Sequence, residues 1–222
     1  MALLFPISCA GKRSSVDLTA NLLEWWDDAD IIGKHNSISL GATPGTTIIG
    51  ANGWNAWDLN GTDCVAGLNA AGYPLGAYAE RTAAFVVYRN GDAEEAGAKA
   101  LIGGMVQNIA DYHYLGTRWG QRFYFRHKKT RYLPAGFNQG AWGSLVWVEL
   151  TTGQGQIYWN GSLVFEVPVT DVNNYLPVQS WNSFLASPSL DVAVACLADR
   201  SWTQDDVTAF HNGGTFLQYA DL

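Results

Sequence analysis

A chain of 222 residues can hold one large domain or two small ones, and a hydrophobic content of 48% is ample for a core. The formal charge of −7 and the pI near 4.9 argue against nucleic acid or an anionic membrane as the main partner, because either would reward clustered Lys and Arg. Ten Trp, ten Tyr and nine Phe are a heavy aromatic load. Each buried ring removes about 150–250 Å² from water, so a handful supplies much of a core, and a single domain is expected.

Residues 1–20 read as an N-terminal arm, a short apolar start followed by Gly11-Lys-Arg-Ser-Ser. The opening lacks the basic region and long apolar run of a secretory leader, so the sequence implies a protein made in the cytoplasm without a signal peptide. No run of about 20 apolar residues offers a membrane span. Leu22 to Trp26 reads as a strand closed by the acidic turn Asp27-Asp28-Ala-Asp30, and Ser37 to Thr47 as turn-rich with Pro44-Gly45 as its punctuation. Trp54 to Val65 reads as a strand, an Asn60-Gly61 turn and a returning strand. Glu80 to Arg89 holds apolar residues without strict alternation, which suits a central strand covered on both faces. Asp92 to Lys99, rich in Ala, Glu and Gly, reads as a loop.

Leu101 to Val106, Asp111 to Leu115 and Gln121 to His127 follow as short strands at regular spacing. The basic run Arg126 to Arg131 beside them reads as the end of a strand and a solvated turn. Leu145 to Phe165 carries the strongest local signal in the chain: two apolar runs around Asn160-Gly161, the pair that best tolerates the positive φ of a type I′ turn. That turn sets Trp159 opposite Ser162, Tyr158 opposite Leu163, Ile157 opposite Val164 and Gln156 opposite Phe165. Both faces of the ribbon are apolar, which predicts a place inside a layered structure rather than at a wet edge. Ser189 to Leu197 is the last strong strand. A helix follows, with Thr203 capping the amide of Asp206, Val207 and Phe210 on one face, and Gly213-Gly214 at its end.

Cys9, Cys64 and Cys196 are odd in number and far apart, and neither they nor the scattered His35, His113, His127 and His211 have zinc-site spacing. The series of short strands with one late helix predicts an all-β fold, a two-sheet antiparallel jelly-roll sandwich with one short C-terminal helix.

Four stretches stand in an order that resembles the concanavalin A-like lectin/glucanase superfamily, specifically its laminin G-like jelly-roll domains. They are Trp57-Asp-Leu-Asn-Gly-Thr-Asp63, Arg81 to Val87, the Leu145–Val164 ribbon with its Ile157-Tyr-Trp-Asn-Gly-Ser-Leu-Val, and Ala198-Asp-Arg-Ser-Trp-Thr-Gln-Asp-Asp-Val207. Together they cover most of residues 45–214. The resemblance implies a laminin G-like domain over residues 21–222. Trp202 replaces the family's usual Leu, and residues 92–144 match no part of its pattern.

Three functions compete on such a scaffold. Glycoside hydrolysis needs two carboxylates flanking the bond, about 5–5.5 Å apart for retention or 6.5–9.5 Å for inversion. The Glu-x-Asp-x-x-Glu strand that supplies them in jelly-roll glucanases is absent. Glu149 stands alone on its strand, Glu94-Glu95 would point apart, and Glu24 with Asp27-Asp28 reads as a solvated turn, so no enzyme is expected. Saccharide binding needs aromatic faces with polar partners, and the candidates are Asp111, Tyr112, Tyr114, Arg118, Trp119, Tyr132, Asn138 and Trp142. Calcium could draw on Asp27, Asp28, Asp30 and Asp63, although their spacing matches no EF-hand loop and no cofactor is expected. The third reading is a virion accessory protein of the kind found on tailed-phage particles. Its partners would be other virion proteins or copies of itself, reached through residues 1–20 and exposed strand edges, and a surface glycan would be a further ligand.

Overall fold

The computed structural model describes residues 16–40, 45–59, 65–66, 80–89, 98–106, 112–118, 122–127, 129–132, 140–151, 154–167, 178–185 and 190–222. Among the described residues fourteen strands fall in two antiparallel sheets, with one α-helix near the C-terminus. The all-β expectation is met.

The larger sheet contains β1 (Leu22–Asp27), β2 (Thr46–Ile49), β3 (Asn55–Asp58), β5 (Arg81–Arg89), β10 (Trp142–Glu149), β11 (Gly155–Trp159), β12 (Ser162–Glu166) and β14 (Leu190–Ala198). Its order is β12-β11-β10-β5-β14-β3-β2, and β1 pairs with the later half of β14 beyond β3. The smaller sheet, in order β4-β13-β6-β7-β8-β9, contains β4 (Val65–Ala66), β6 (Ala98–Val106), β7 (Tyr112–Arg118), β8 (Arg122–His127), β9 (Lys129–Tyr132) and β13 (Val178–Phe184).

Strand alternation gives the larger sheet two apolar faces. Ala83, Phe85 and Val87 of β5 face the smaller sheet with Leu145 and Trp147 of β10, meeting Leu101, Ile102 and Leu115 across the sandwich. Ala84 and Val86, with Val146 and Val148, turn the other way and meet a third layer. That layer holds Leu18, Trp25, Trp202, Phe216 and the helix α1 (Gln204–His211) through Val207 and Phe210. Trp25 and Trp202 each set a ring about Phe210, at centroid separations of 5.6 and 5.5 Å. The sheet residues beneath them, Ala84, Ala198 and Cys196, are small, which leaves room for three large rings. A bulge between Val192 and Val194 reverses the alternation of β14, so that Leu190 and Val192 face inward before it and Ala195 and Leu197 after it.

The helix begins as its sequence requires. Thr203 Oγ1 accepts from the Asp206 amide, and the Asp206 carboxylate accepts from the Thr203 amide, a closed capping box. It ends one residue before the Gly pair, at Asn212, whose φ is 47°. Arg200 then binds the helix start to the chain's N-terminal side, donating to both Asp206 oxygens and to the carbonyls of Asp17 and Ala20. Leu18 is buried and Val16 packs beside it, so residues 16–20 rest on the outer layer; residues 1–15 of the expected arm lie outside the described residues.

Several sequence expectations are corrected here. The Asn160-Gly161 turn forms, with positive φ at both residues, and its first two pairs are as expected. A bulge then sets Ile157 opposite Phe165 and Gln156 opposite Glu166, so both Val164 and Phe165 pack toward the inter-sheet core. The returning strand β12 is a wet edge after all, with Leu163 45% exposed. The strand and return expected over Trp54 to Val65 do not pair with each other, since β3 belongs to the larger sheet and β4 to the smaller; the Asn60-Gly61 turn lies outside the described residues. Thr46 and Thr47 extend in β2 rather than turning, and Lys129 to Tyr132 returns as β9 where a solvated turn was expected. Asp92 to Gly97 lie outside the described residues, and Ala98-Lys99 already belong to β6.

Candidate functional site

The register of β7, β8 and β9 assembles a surface that no single segment shows. Leu115 is buried in the inter-sheet core, so the alternate positions of β7 lie on the opposite face of the smaller sheet. Those positions are Tyr112, Tyr114, Gly116 and Arg118. Tyr114 pairs with Arg126, Gly116 with Tyr124 and Arg118 with Arg122; Tyr124 in turn pairs with Tyr132, and Arg126 with Thr130. Directly paired residues share a face. Four tyrosine and three arginine positions therefore occupy one face of three adjacent strands, an area of about 20 Å along the strands by 10 Å across them. On β6 the neighbouring positions of that face include Gly103 and Ala100, opposite Tyr114 and Gly116. Small residues stand beside large ones.

Charge is partitioned in the same direction. The described strands of the smaller sheet carry Lys99, Arg118, Arg122, Arg126, Lys129 and Arg131 and no Asp or Glu. Those of the larger sheet carry Glu24, Asp27, Asp58, Glu149, Glu166 and Asp191 against Arg81 and Arg89. Of the six basic residues, Arg118, Arg122 and Arg126 stand on the Tyr/Arg face, whereas Lys99, Lys129 and Arg131 occupy positions of the other face, paired with Thr117, His127 and Phe125.

Of the eight residues expected to bind a saccharide, Tyr112, Tyr114, Arg118 and Tyr132 share this face. Trp142 does not. It begins β10 on the other sheet, half-buried between Tyr88, at a ring-centroid separation of 5.5 Å, and Gly50, where a Cβ would meet its ring edge. Asp111, Trp119 and Asn138 lie outside the described residues. Arg122, Tyr124 and Arg126 belong to the same surface and were missed, although the period-two spacing Arg-x-Tyr-x-Arg in an expected strand was the available signal.

The carboxylates of the larger sheet are tied into the fold. Glu24, read as part of a solvated turn, is fully buried and accepts from the backbone amides of Trp25, His35, Asn36 and Ile38, which folds the 33–38 loop around it. A Cβ at Gly33 would fall within 2.0 Å of that side chain. Asp27 is buried too, accepting from Trp25 Nε1 and the Tyr219 amide, and burial pushes its carboxyl above the ordinary carboxylate value. Asp28 accepts from the Asn55 amide, and Asp30 from Lys34 Nζ and the Ile32 amide. Asp63, the other calcium candidate, lies outside the described residues. No cluster of three or more metal-ligating side chains occurs among the described residues. Glu149, the one carboxylate of β10, forms a buried ion pair with Arg81, its direct partner across β10 and β5.

One acid pair went unseen in the sequence. Asp58 on β3 and Asp191 on β14 are directly paired, with Asp191 only 3% exposed. Burial, then the Asp58 charge and their shared hydrogen bond, push the Asp191 carboxyl up to about 7. A Ser–His contact also occurs, from Ser144 Oγ to His211 Nδ1 at 3.1 Å. Ser144 is buried, and with Gln204 Nε2 donating to the Gly161 carbonyl this contact fastens the ribbon's turn to α1.

No family model matches the chain, and no curated protein matches it. Solved structures do. The binding domain of Paraclostridial Mosquitocidal Protein 1 is 11% identical with a TM-score of 0.62, over 89% of this chain and 53% of that one. Domain 4 of AbnA, a GH43 extracellular arabinanase from Geobacillus stearothermophilus solved in complex with arabinotriose, is 14% identical with a TM-score of 0.57, over 85% and 97%. A Trypanosoma rangeli sialidase is 12% identical with a TM-score of 0.55, over 87% and 32%. The chain thus spans about a third of the sialidase and half of the toxin domain. At these identities the likeness is one of fold, a lectin-like β-sandwich. No helix among the described residues is long and apolar enough to cross a membrane.

Proposed function

We propose that this chain is a non-enzymatic binding module whose ligand is an acidic saccharide, held on the Tyr/Arg face of β7, β8 and β9. The observation that carries the reading is the register that sets Tyr112, Tyr114, Tyr124 and Tyr132 on one face with Arg118, Arg122 and Arg126. Tyrosine offers a flat apolar face for a sugar ring and a hydroxyl for its rim. Arginine offers bidentate recognition of a carboxylate or sulfate. An all-neutral glycan would leave three arginine positions without a purpose. The arabinotriose complex of a similarly folded domain makes a saccharide a reasonable ligand for the scaffold.

The test is a titration with acidic and neutral oligosaccharides of matched length, with single-stranded DNA as a polyanion control. The expected result is binding of the acidic oligosaccharide that weakens about tenfold in Arg126→Ala and in Tyr114→Ala. Equal binding of neutral and acidic sugars overturns the acidic ligand, and preference for the DNA overturns the saccharide.

A finer reading places the module on a virus particle as a decoration, fibre or adhesin component. It is supported by the open edges of the larger sheet, where Ile49 on β2 is 73% exposed and Leu163 on β12 is 45% exposed. Unpaired edges of this kind accept a neighbouring chain. Deleting residues 1–15 should abolish assembly on the particle and leave the domain folded, since the buried Leu18 and the Arg200 contacts are retained. Retained assembly speaks against an arm-borne dock.

A further inference from the structure

Resting on the reading of the Tyr/Arg face as a saccharide site, we infer that it takes its ligand lengthwise along the strands and selects a pattern of charge: an anionic ring at each end and an uncharged ring between them. Three successive rungs of the smaller sheet carry this. The first sets Ala98, Arg118 and Arg122 side by side on β6, β7 and β8. The second sets Ala100, Gly116, Tyr124 and Tyr132 across β6 to β9. The third sets Gly103, Tyr114, Arg126 and Thr130 in the same order. Along the strand direction a charged rung, an uncharged rung and a charged rung follow one another.

Strand geometry gives the spacing. Arg122 and Arg126 are four positions apart on β8, which sets their backbone positions about 13 Å apart with Tyr124 midway. Arg118 and Arg122 are direct cross-strand partners, at a Cα separation of about 5 Å. Like charges directly opposite destabilise a strand pair, and an anion shared by two guanidinium groups offsets that repulsion. The first rung is thus the stronger anion site. The third, with one arginine position between Tyr114 and Thr130, is the weaker. The middle rung suits an uncharged ring: a glycine inside a strand allows close approach of a ligand, and two tyrosine positions lie beside it. A ligand with both anions engages the two ends at once, and its second contact is intramolecular, which raises affinity. A ligand with one anion uses one end at a time.

The experiment is calorimetric titration of the whole chain with four trisaccharides. The first carries uronic acid at both terminal rings around a neutral hexose, the second uronic acid at one terminal ring, the third uronic acids on two adjacent rings, and the fourth is neutral throughout. The first is expected to bind about tenfold tighter than the second and third. Arg126→Ala should weaken the first about tenfold and the second by no more than about twofold, because the Arg118–Arg122 pair still takes a lone anion. Equal affinity of the three acidic trisaccharides above the neutral one, or a preference for adjacent charges, overturns the spacing and leaves the acidic-saccharide reading standing. An equal loss for the first and second in Arg126→Ala overturns the lengthwise arrangement. Equal affinity of all four, or binding of none, overturns the reading and this inference with it. The four titrations of the unaltered protein decide the matter even where the variant fails to fold.

Discussion

The two sheets use charge in opposite ways. In the larger sheet Glu24, Asp27, Glu149 and Asp191 are buried and each is engaged by an amide, a guanidinium or another carboxyl. In the smaller sheet the charge is basic, lies on strands β6 to β9, and alternates on β7 and β8 with residues of the inter-sheet core or their direct partners. A buried carboxylate is costly unless every oxygen is satisfied, so such groups are kept where they hold a fold together. A charge on the face of a sheet turned away from its core costs little and is available to a ligand. The contrast is therefore drawn between the buried acids of the larger sheet and Arg118, Arg122 and Arg126, whose positions alternate with those that face the core.

Substitutions can break or sharpen that contrast. The largest effect is expected from Glu149→Ala, which removes the carboxylate paired with the buried Arg81 and should cost about 3–5 kcal/mol; a denaturant midpoint close to that of the parent would erase the distinction between the sheets. Glu24→Ala follows, at about 3 kcal/mol or more, because four backbone amides lose one buried acceptor. Thermal unfolding reads it, and exchange should localise the loss to the 33–38 loop. Arg118→Ala on the smaller sheet should do the reverse, weakening an acidic ligand about tenfold while stability moves by less than about 0.5 kcal/mol. Acid gives a subtler contrast. Burial tends to raise the Asp206 carboxyl, but Arg200 and the Thr203 hydrogen bonds outweigh it and hold the group below its ordinary value. Its folded form is the worse proton acceptor, so the stabilisation is present above the ordinary carboxylate value and is lost as pH falls through the lowered one. Melting followed from pH 5 down to about 2.5 should show this loss, and Asp206→Asn should lack it. Smallest is Thr203→Ala, about 1 kcal/mol for the lost cap, read by the helix's contribution to circular dichroism and by the melting temperature.

What the sequence determined by itself is local. The type I′ turn at Asn160-Gly161, the capping box of Thr203 and Asp206, and the doubly covered strand Arg81–Arg89 all follow from residues within a few positions of one another. For the same reason two of the three strands of the Tyr/Arg face, β7 and β8, could be read, and four of its seven tyrosine and arginine positions were named, while β9 was taken for a turn. What only the tertiary structure decided is which strands become neighbours. Asp58 and Asp191 meet across 133 positions of chain, Glu24 captures a loop a dozen residues on, and β12 is an edge among the described strands of its sheet. Periodicity tells which residues share a face of one strand. It is silent on which strand lies alongside, because that choice is made by the burial of both faces of the larger sheet at once, an energy that no short stretch of sequence contains.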